Sequence, residues 1–300
     1  MAERSVFISK QNYPFFEEVL ISFDWFGGFA LSQKRKCQIS LHQNFNASYP
    51  ERKVLEISSS SLISLGARLS AMNLSKRTER GITSVESAFQ SSRIYSDSTR
   101  KVGPFPEYTF LPGKECKANV KKQSLGMHSY NYYFDGMSFS APEYHISLFY
   151  DFLYLNALLE PENESVKNEL LDGGYTAFSD LATKALNSQA RSAAIFVGLV
   201  HANRIDEVKS YPSYLKLFRT CEDGETPCNG AYENVQLLNK NTVMLLSPVV
   251  PCRFGKEAVE RYYLEHCSVL SNRKESDNYL DLKMGFEDKH SRLQSAYTPS

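Results

Sequence analysis

Residues 144–159, YHISLFYDFLYLNALL, are apolar nearly all the way round a helix. Such a helix has no face to offer water and must be enclosed by other elements. A second stretch, 187–203 (NSQARSAAIFVGLVHAN), shares this property, and its Ala190, Ala194 and Val197 are small enough for close helix approach. Two enclosed helices demand a layered domain, and 300 residues can bury a core of that size. Pro161 and Asn163 close the first helix. Gly173-Gly174 and AFSDLATKAL read as the loop that delivers the second.

Around this core the patterning alternates between strands and helices. Val6-Phe7-Ile8, Val19-Leu20-Ile21 and 53–57 have strand composition, and Gly27-Gly28 punctuates them. Residues 32–42 predict a short helix with Lys34, Arg35 and Lys36 in one turn, either a solvated face or a phosphate-facing patch. Residues 62–74 show mixed periodicity. A capped helix then starts at SVESAFQSSRIY, with Thr83 as cap and Glu86 completing a capping box. Val85, Ala88, Phe89 and Ser92 form its packing stripe, and Glu86, Gln90 and Arg93 share the other face. Residues 96–131 read as an irregular connection containing a short helix at 114–122. Beyond Tyr211 come the turn-rich CEDGETPCNG, a strand at 241–247, an amphipathic helix at 256–267 and a polar tail. The fold class is therefore α+β, mainly helical with short strands. The expected division is a main domain over 1–210 and an accessory C-terminal extension over 211–300.

Charge and cysteine usage narrow the function classes. Lysine plus arginine (34) equals aspartate plus glutamate (34), so no global field draws the chain to nucleic acid or membrane. Any nucleic-acid contact must come from a local patch. The opening MAERS mixes charges and lacks the apolar core of a secretory signal, and no uncharged apolar run approaches ~18 residues. Six cysteines in such a chain point to a reducing, cytoplasmic setting rather than a disulfide scaffold. Cys221, Cys228, Cys252, His266 and Cys267 cluster without the paired spacing of zinc modules, so ordinary packing is the reading, with no metal and no cofactor. Phosphate loops, dinucleotide fingerprints, zincin motifs and nucleophile elbows are absent from the sequence.

What remains are carboxylates in apolar surroundings, which are costly unless paired or used. Glu86 is satisfied by its capping box or serves a site with Gln90 and Arg93. Asp151, among Phe149, Tyr150, Phe152 and Tyr154, is expected to bond a neighbouring backbone group or tyrosine. Asp180 precedes a helix, where it either caps or faces a phosphate or ribose.

Four segments, LGARLSAMNL, SVESAFQSSRIY, FYDFLYLNAL and AFSDLATKALNSQARSAAIFVGL, occur in an order that resembles the NADAR family. RSVFIS, GGFALSQKRKCQISLH and LEISSSS narrow the likeness to NADAR antitoxins encoded beside DarT-type toxins, which ADP-ribosylate guanine in single-stranded DNA. The likeness covers residues 4–205. It implies the mainly helical NADAR (YbiA-like) fold, with helices around a pocket for the ADP-ribosyl group. It also implies cleavage of the N-glycosidic bond between ribose C1″ and the guanine amine. The substrate would be ADP-ribosylated guanine in single-stranded DNA or a nucleotide, and the toxin a cognate partner.

By position, the resemblance gives Glu86 the acid–base role and Asp180 the ribose hydroxyls. Asn73, Asn187 and Gln189 fall on the ligand side, with Gln90, Lys117 and Tyr150, and Phe89 or Phe139 stacks on a base. Arg93 stands where relatives carry a lysine able to form a Schiff base, which an arginine cannot do. Hydrolysis then proceeds without covalent help or through Lys117, while Arg93 suits a pyrophosphate. Lys34, Arg35 and Lys36 are the expected strand contact. Two other functions fit the same likeness: an N-glycosidase acting on a riboflavin-pathway metabolite, and a non-catalytic module binding ADP-ribosylated DNA. Whether Glu86 and Asp180 face one cavity discriminates the two enzymatic readings from the non-catalytic one.

Overall fold

The computed structural model describes residues 1–28, 30–96, 100–140, 147–181, 188–217, 235–239 and 242–245. Two compact units divide the chain, one of residues 1–141 with 146–225 and the other of 142–145 with 226–300.

The first unit opens with a hairpin, β1 (Ala2–Ser9) and β2 (Phe16–Phe23), paired antiparallel from Ala2↔Phe23 to Ser9↔Phe16. Helix α1 (Leu31–Ser48) and strand β3 (Val54–Glu56) follow. The short α2 (Ser64–Arg68) leads to a hairpin of β4 (Ser75–Thr78) and β5 (Gly81–Ser84), which runs straight into α3 (Val85–Ser92). Next come β6 (Arg93–Ser96), β7 (Lys101–Val102), α4 (Gly113–Gln123), β8 (His128–Phe134) and β9 (Met137–Ser140). Helices α5 (Ser147–Leu158) and α6 (Glu164–Asp172) precede β10 (Ala177–Ser179), α7 (Gln189–His201) and α8 (Tyr211–Lys216). One sheet has the order β2-β1-β10-β3 and a second, antiparallel one the order β7-β6-β8-β9. The chain is thus α+β.

The first sheet is covered on both faces. Val6, Ile8, Ile21 and Phe23 alternate onto one face and meet Cys37, Leu41 and Phe45, which recur every four residues along α1. Helix α7 packs on β1, β2 and β10 and is buried continuously from Ala190 to Leu199. Its Gly198 permits this approach, because a Cβ there would lie 2.3 Å from the Lys10 carbonyl oxygen. Helix α5 packs against both α3 and α7, so the two apolar helices do form the enclosed layer that their composition demands.

Four local expectations change. Residues 177–179 are not loop but a central strand, antiparallel to β1 and parallel to β3, because pairing on both sides compensates for its shortness. The cap of α3 is Ser84, whose hydroxyl accepts from the Ser87 N–H; Thr83 instead donates to the Thr109 carbonyl. Arg93 has left the helix and opens β6, so it does not share the helical face of Glu86 and Gln90. Helix α1 is long, at 18 residues. Tyr211 and Tyr214 of α8 are buried against Phe152, inside the first unit.

In the second unit Val235–Asn239 pairs with Thr242–Leu245, inside the expected strand at 241–247. The expected helix at 256–267, together with Cys221, Cys228, Cys252, His266 and Cys267, lies outside the described residues. No helix among the described residues is long and apolar enough to cross a membrane.

Candidate functional site

Helix α3 is buried along its whole length, which forces its polar side chains to find partners inside the protein. Glu86, 7% exposed, accepts at Oε1 from Gln90 Nε2 at 3.0 Å, one turn along the helix. The Lys117 ammonium on α4 stands 3.4 Å from the same oxygen, with its side chain 59% exposed. Gly113 opens α4 beside this group: a Cβ there would sit 3.1 Å from that of Glu86. The backbone of Glu86 is held as well, its N–H donating to the Ala71 carbonyl at 2.9 Å. Ala71 in turn donates its own N–H to Gln189 Oε1 at 2.8 Å, while Gln189 Nε2 donates to the Ile57 carbonyl at 2.6 Å. The Gln189 amide is therefore a bracket tying α7 to the ends of β3 and the 70–74 turn.

Tyr150 on α5 links this cluster to the other carboxylate. Its phenol is pushed well above its ordinary pKa by burial first and then by electrostatic interaction with Glu86, Tyr154, Asp180 and Asp151. It stays a neutral hydroxyl in the field of both Glu86 and Asp180. Phe89 of α3 meets the Tyr150 ring edge-on at 5.1 Å. Tyr154, one turn further along α5, is raised by burial and by Asp180, and donates its hydroxyl to the Leu69 carbonyl at 2.7 Å. The Cys116 thiol is pushed up to about 12, by burial and then by Glu86, so it is not a thiolate nucleophile.

Asp180 follows β10 and is 4% exposed. The residues on either side of it are gripped by one carboxylate: Glu56 accepts from the Ser179 hydroxyl at 2.5 Å and from the Leu181 N–H at 3.0 Å. Burial raises the pKa of Glu56, opposed by its hydrogen bonds from Ser179, Leu181 and Ser58. Behind them, His42 Nε2 lies 2.9 Å from Ser179 Oγ, and burial lowers the imidazole to about 4. His42 is thus a neutral backstop at ordinary pH. Arg4 reaches the same corner, donating Nε–H to the Leu181 carbonyl at 3.4 Å within the field of Asp180.

The remaining residues divide. Arg93 holds its guanidinium 5.5 Å from the Phe89 ring centroid and 4.7 Å from that of Tyr95, with a buried Nε that has no hydrogen-bond partner among the described residues. Asn73 is exposed and donates to the Ala67 carbonyl at 2.8 Å. Phe139 sits 4.6 Å from Tyr211 and 4.5 Å from Phe149, within an aromatic cluster rather than beside Tyr150. Lys34, Arg35 and Lys36 are exposed on α1, the helix that packs on the first sheet. Asn187 lies outside the described residues. Asp151 is bonded not to backbone or tyrosine but to Arg191 Nη2, at 3.1 and 3.0 Å to its two oxygens, and to Ser192 at 2.7 Å. Among the described residues no group of three or more His, Cys, Asp or Glu side chains is placed to hold a metal.

Sequence reasoning missed Glu56, His42, Arg4 and Arg191. For Glu56 a signal existed: a carboxylate inside the strand VLEI has to be bonded or functional. The others are ordinary surface-type residues until the fold buries them.

Fold and site together define an α+β protein that buries two carboxylates, Glu86 in α3 and Asp180 just after β10. The chain belongs to the family described as DarT1-associated NADAR antitoxin, which matches residues 2–227. No curated protein is significantly similar to it.

Proposed function

We propose that this protein is an ADP-ribosylglycohydrolase that removes ADP-ribose from guanine bases of nucleic acid. It would act in the cytoplasm as antitoxin, or counter-defence factor, against a cognate DNA ADP-ribosyltransferase. The observation that carries the reading is the buried Glu86 carboxylate, whose partners, the neutral Gln90 and the solvent-exposed Lys117, leave it open to a substrate. On this reading the first unit, which runs through α8 past the expected boundary at 210, adopts the NADAR (YbiA-like) fold as the hydrolase domain, and the rest of the chain is its extension.

The chemistry follows from the groups present. As the bond from C1″ to the guanine amine breaks, its electron pair leaves with guanine and positive charge grows on the ribose. The Asp180 carboxylate, holding ribose hydroxyls, stabilises that charge, and the neutral Tyr150 hydroxyl can donate a hydrogen bond to the sugar or base. Glu86 accepts a proton from the water that adds to C1″, then delivers it to the guanine amine. Gln90 keeps the carboxylate oriented, Arg93 stacked on Phe89 would face the pyrophosphate, and Asn73 and Gln189 would border the ligand. A covalent variant is favoured by Lys117, whose amine adjoins Glu86. Its neutral amine would bond to C1″ as guanine departs with the bonding pair and takes up one amine proton. The C1″–O4″ bond would then open, O4″ taking the second proton, and water would hydrolyse the resulting imine to free lysine and ADP-ribose.

The test is incubation with single-stranded DNA ADP-ribosylated on guanine, read by mass spectrometry. Loss of the ADP-ribosyl mass is expected. Retained mass with tight binding would make the protein a reader of the modification, and retained mass without binding would point to a small N-glycoside. Borohydride trapping of an adduct in the wild type, absent in Lys117→Ala, would select the covalent route.

A further inference from the structure

Two exposed aromatic side chains stand next to each other just after the N-terminal hairpin. Trp25 is 51% exposed and Phe26 37%, immediately after β2, where a core-building sequence would place them inside. Neither is loose. The Asp24 N–H donates to Ser40 Oγ at 3.0 Å, and the Phe26 N–H donates to Cys37 Sγ at 3.2 Å, so two groups of α1 fasten this segment. Each ring also carries a cation. The Arg4 guanidinium lies 5.4 Å from the Trp25 ring centroid, and the Lys36 ammonium 5.9 Å from that of Phe26. Lys34 and Arg35 are exposed in the same turn of α1. Two exposed acids lie nearby, Asp24 and Glu3, the latter accepting from Ser22, against the four cations Arg4, Lys34, Arg35 and Lys36, so positive charge predominates locally in a chain whose net charge is zero.

Flat rings held rigid and outward, with cations beside them, match the chemistry of an unpaired nucleic-acid strand. Bases stack on the rings while phosphates meet the cations, and a duplex cannot offer its bases in this way. The patch is also continuous with the candidate site. Arg4, which lies over Trp25, bonds the Leu181 carbonyl and sits in the field of Asp180.

We propose that Trp25 and Phe26, flanked by Arg4 and by Lys34, Arg35 and Lys36, form a stacking platform for single-stranded DNA that leads to Asp180. The proposal rests on the reading of the substrate as a guanine within a DNA strand. It adds that the protein grips neighbouring, unmodified nucleotides.

Trp25 is the single tryptophan of the chain, so its emission reports on the platform directly. The full-length protein is titrated with an unmodified single-stranded DNA oligonucleotide. Saturable quenching is expected, weakening with salt, and Lys34/Arg35/Lys36→Ala should lower the log–log salt slope by about 2. With a dye-labelled oligonucleotide read by anisotropy, Trp25→Ala is expected to weaken binding roughly tenfold and Trp25→Phe to restore most of it. Circular dichroism melting checks that the variants fold, and the triple variant stands in should Trp25→Ala not fold. Absence of quenching, equal affinity for the matching duplex, or unchanged affinity of Trp25→Ala would overturn the proposal. No ADP-ribose is present in this experiment. Binding here without cleavage of modified DNA would sink the hydrolase reading alone, and cleavage without binding here would sink the platform alone.

Discussion

Two buried carboxylates on neighbouring helices are held in opposite ways. Asp151 on α5 is closed: Arg191 and Ser192 occupy its oxygens, and all three residues are at most 3% exposed. Glu86 on α3 is almost as deep, yet its partners are the neutral Gln90 and a lysine with 59% of its side chain in solvent. A carboxylate fully ringed by buried donors has no capacity left for a substrate, and removing one member strands a charge. One whose cation can swing into water has both capacity and a route for protons. Burial alone therefore does not identify a working acid; the exposure of its partners does.

The largest expected effect is on turnover. Glu86→Gln should lower the rate on modified DNA roughly 10²–10⁴-fold while changing stability by less than about 1 kcal/mol, because its ion pair faces solvent. Single-turnover kinetics and urea titration would show this; a parallel loss of binding would break the contrast with Asp151. Asp151→Ala is the mirror experiment. It leaves Arg191 buried without its carboxylate and should cost roughly 3–5 kcal/mol in denaturant unfolding, much of it recovered in Asp151→Leu/Arg191→Met. A single variant as stable as the wild type would show that the pair is not structural.

The Asp180 side adds a pH signature. His42 titrates at about 4 folded and near 6.5 unfolded, so the unfolded chain binds the extra proton in that window. Stability from this group is complete above about pH 6.5 and is lost as the pH falls towards 4, on the order of 2–3 kcal/mol. Glu56, raised by burial, has the opposite sign and costs stability as the pH rises above the usual carboxylate range. His42→Gln should flatten the acid limb of the stability profile; an unchanged limb would place the imidazole in water. Glu56→Gln, which can still pair with the Leu181 N–H and Ser179, should lower kcat about tenfold with little change in KM, as a positioning residue would. A change confined to KM would remove it from that role. Smallest is Arg93→Lys, expected to keep or modestly raise turnover; a large fall would give the guanidinium its own task.

Much of this was written locally. The all-round apolar character of 144–159 and 187–203 announced α5 and α7, and the β-branched runs near Val6 and Val19 announced the first hairpin, because periodicity and composition report burial residue by residue. The helix at 114–122 and the depth of Glu86 were legible in the same way. Other features were not. Ala177–Ser179 carries no strand pattern and is a strand only because β1 and β3 pair with it from both sides. The choice of Ser84 over Thr83 as cap depended on where β5 ends, and Arg93 became extended because β8 supplied a partner.

The site divides along the same line. The amino-acid order by itself determined that the helices at 144–159 and 187–203 would be enclosed and that Glu86, Asp151 and Asp180 lie in apolar surroundings. The partners lie far apart in the chain: Arg191 is 40 residues from Asp151, Glu56 is 123 from Ser179, and Tyr150 senses both Glu86 and Asp180. Only the tertiary structure decided those encounters, because local patterning marks the apolar stretches that must be enclosed, whereas long-range packing specifies which polar groups are buried with them and what they meet there.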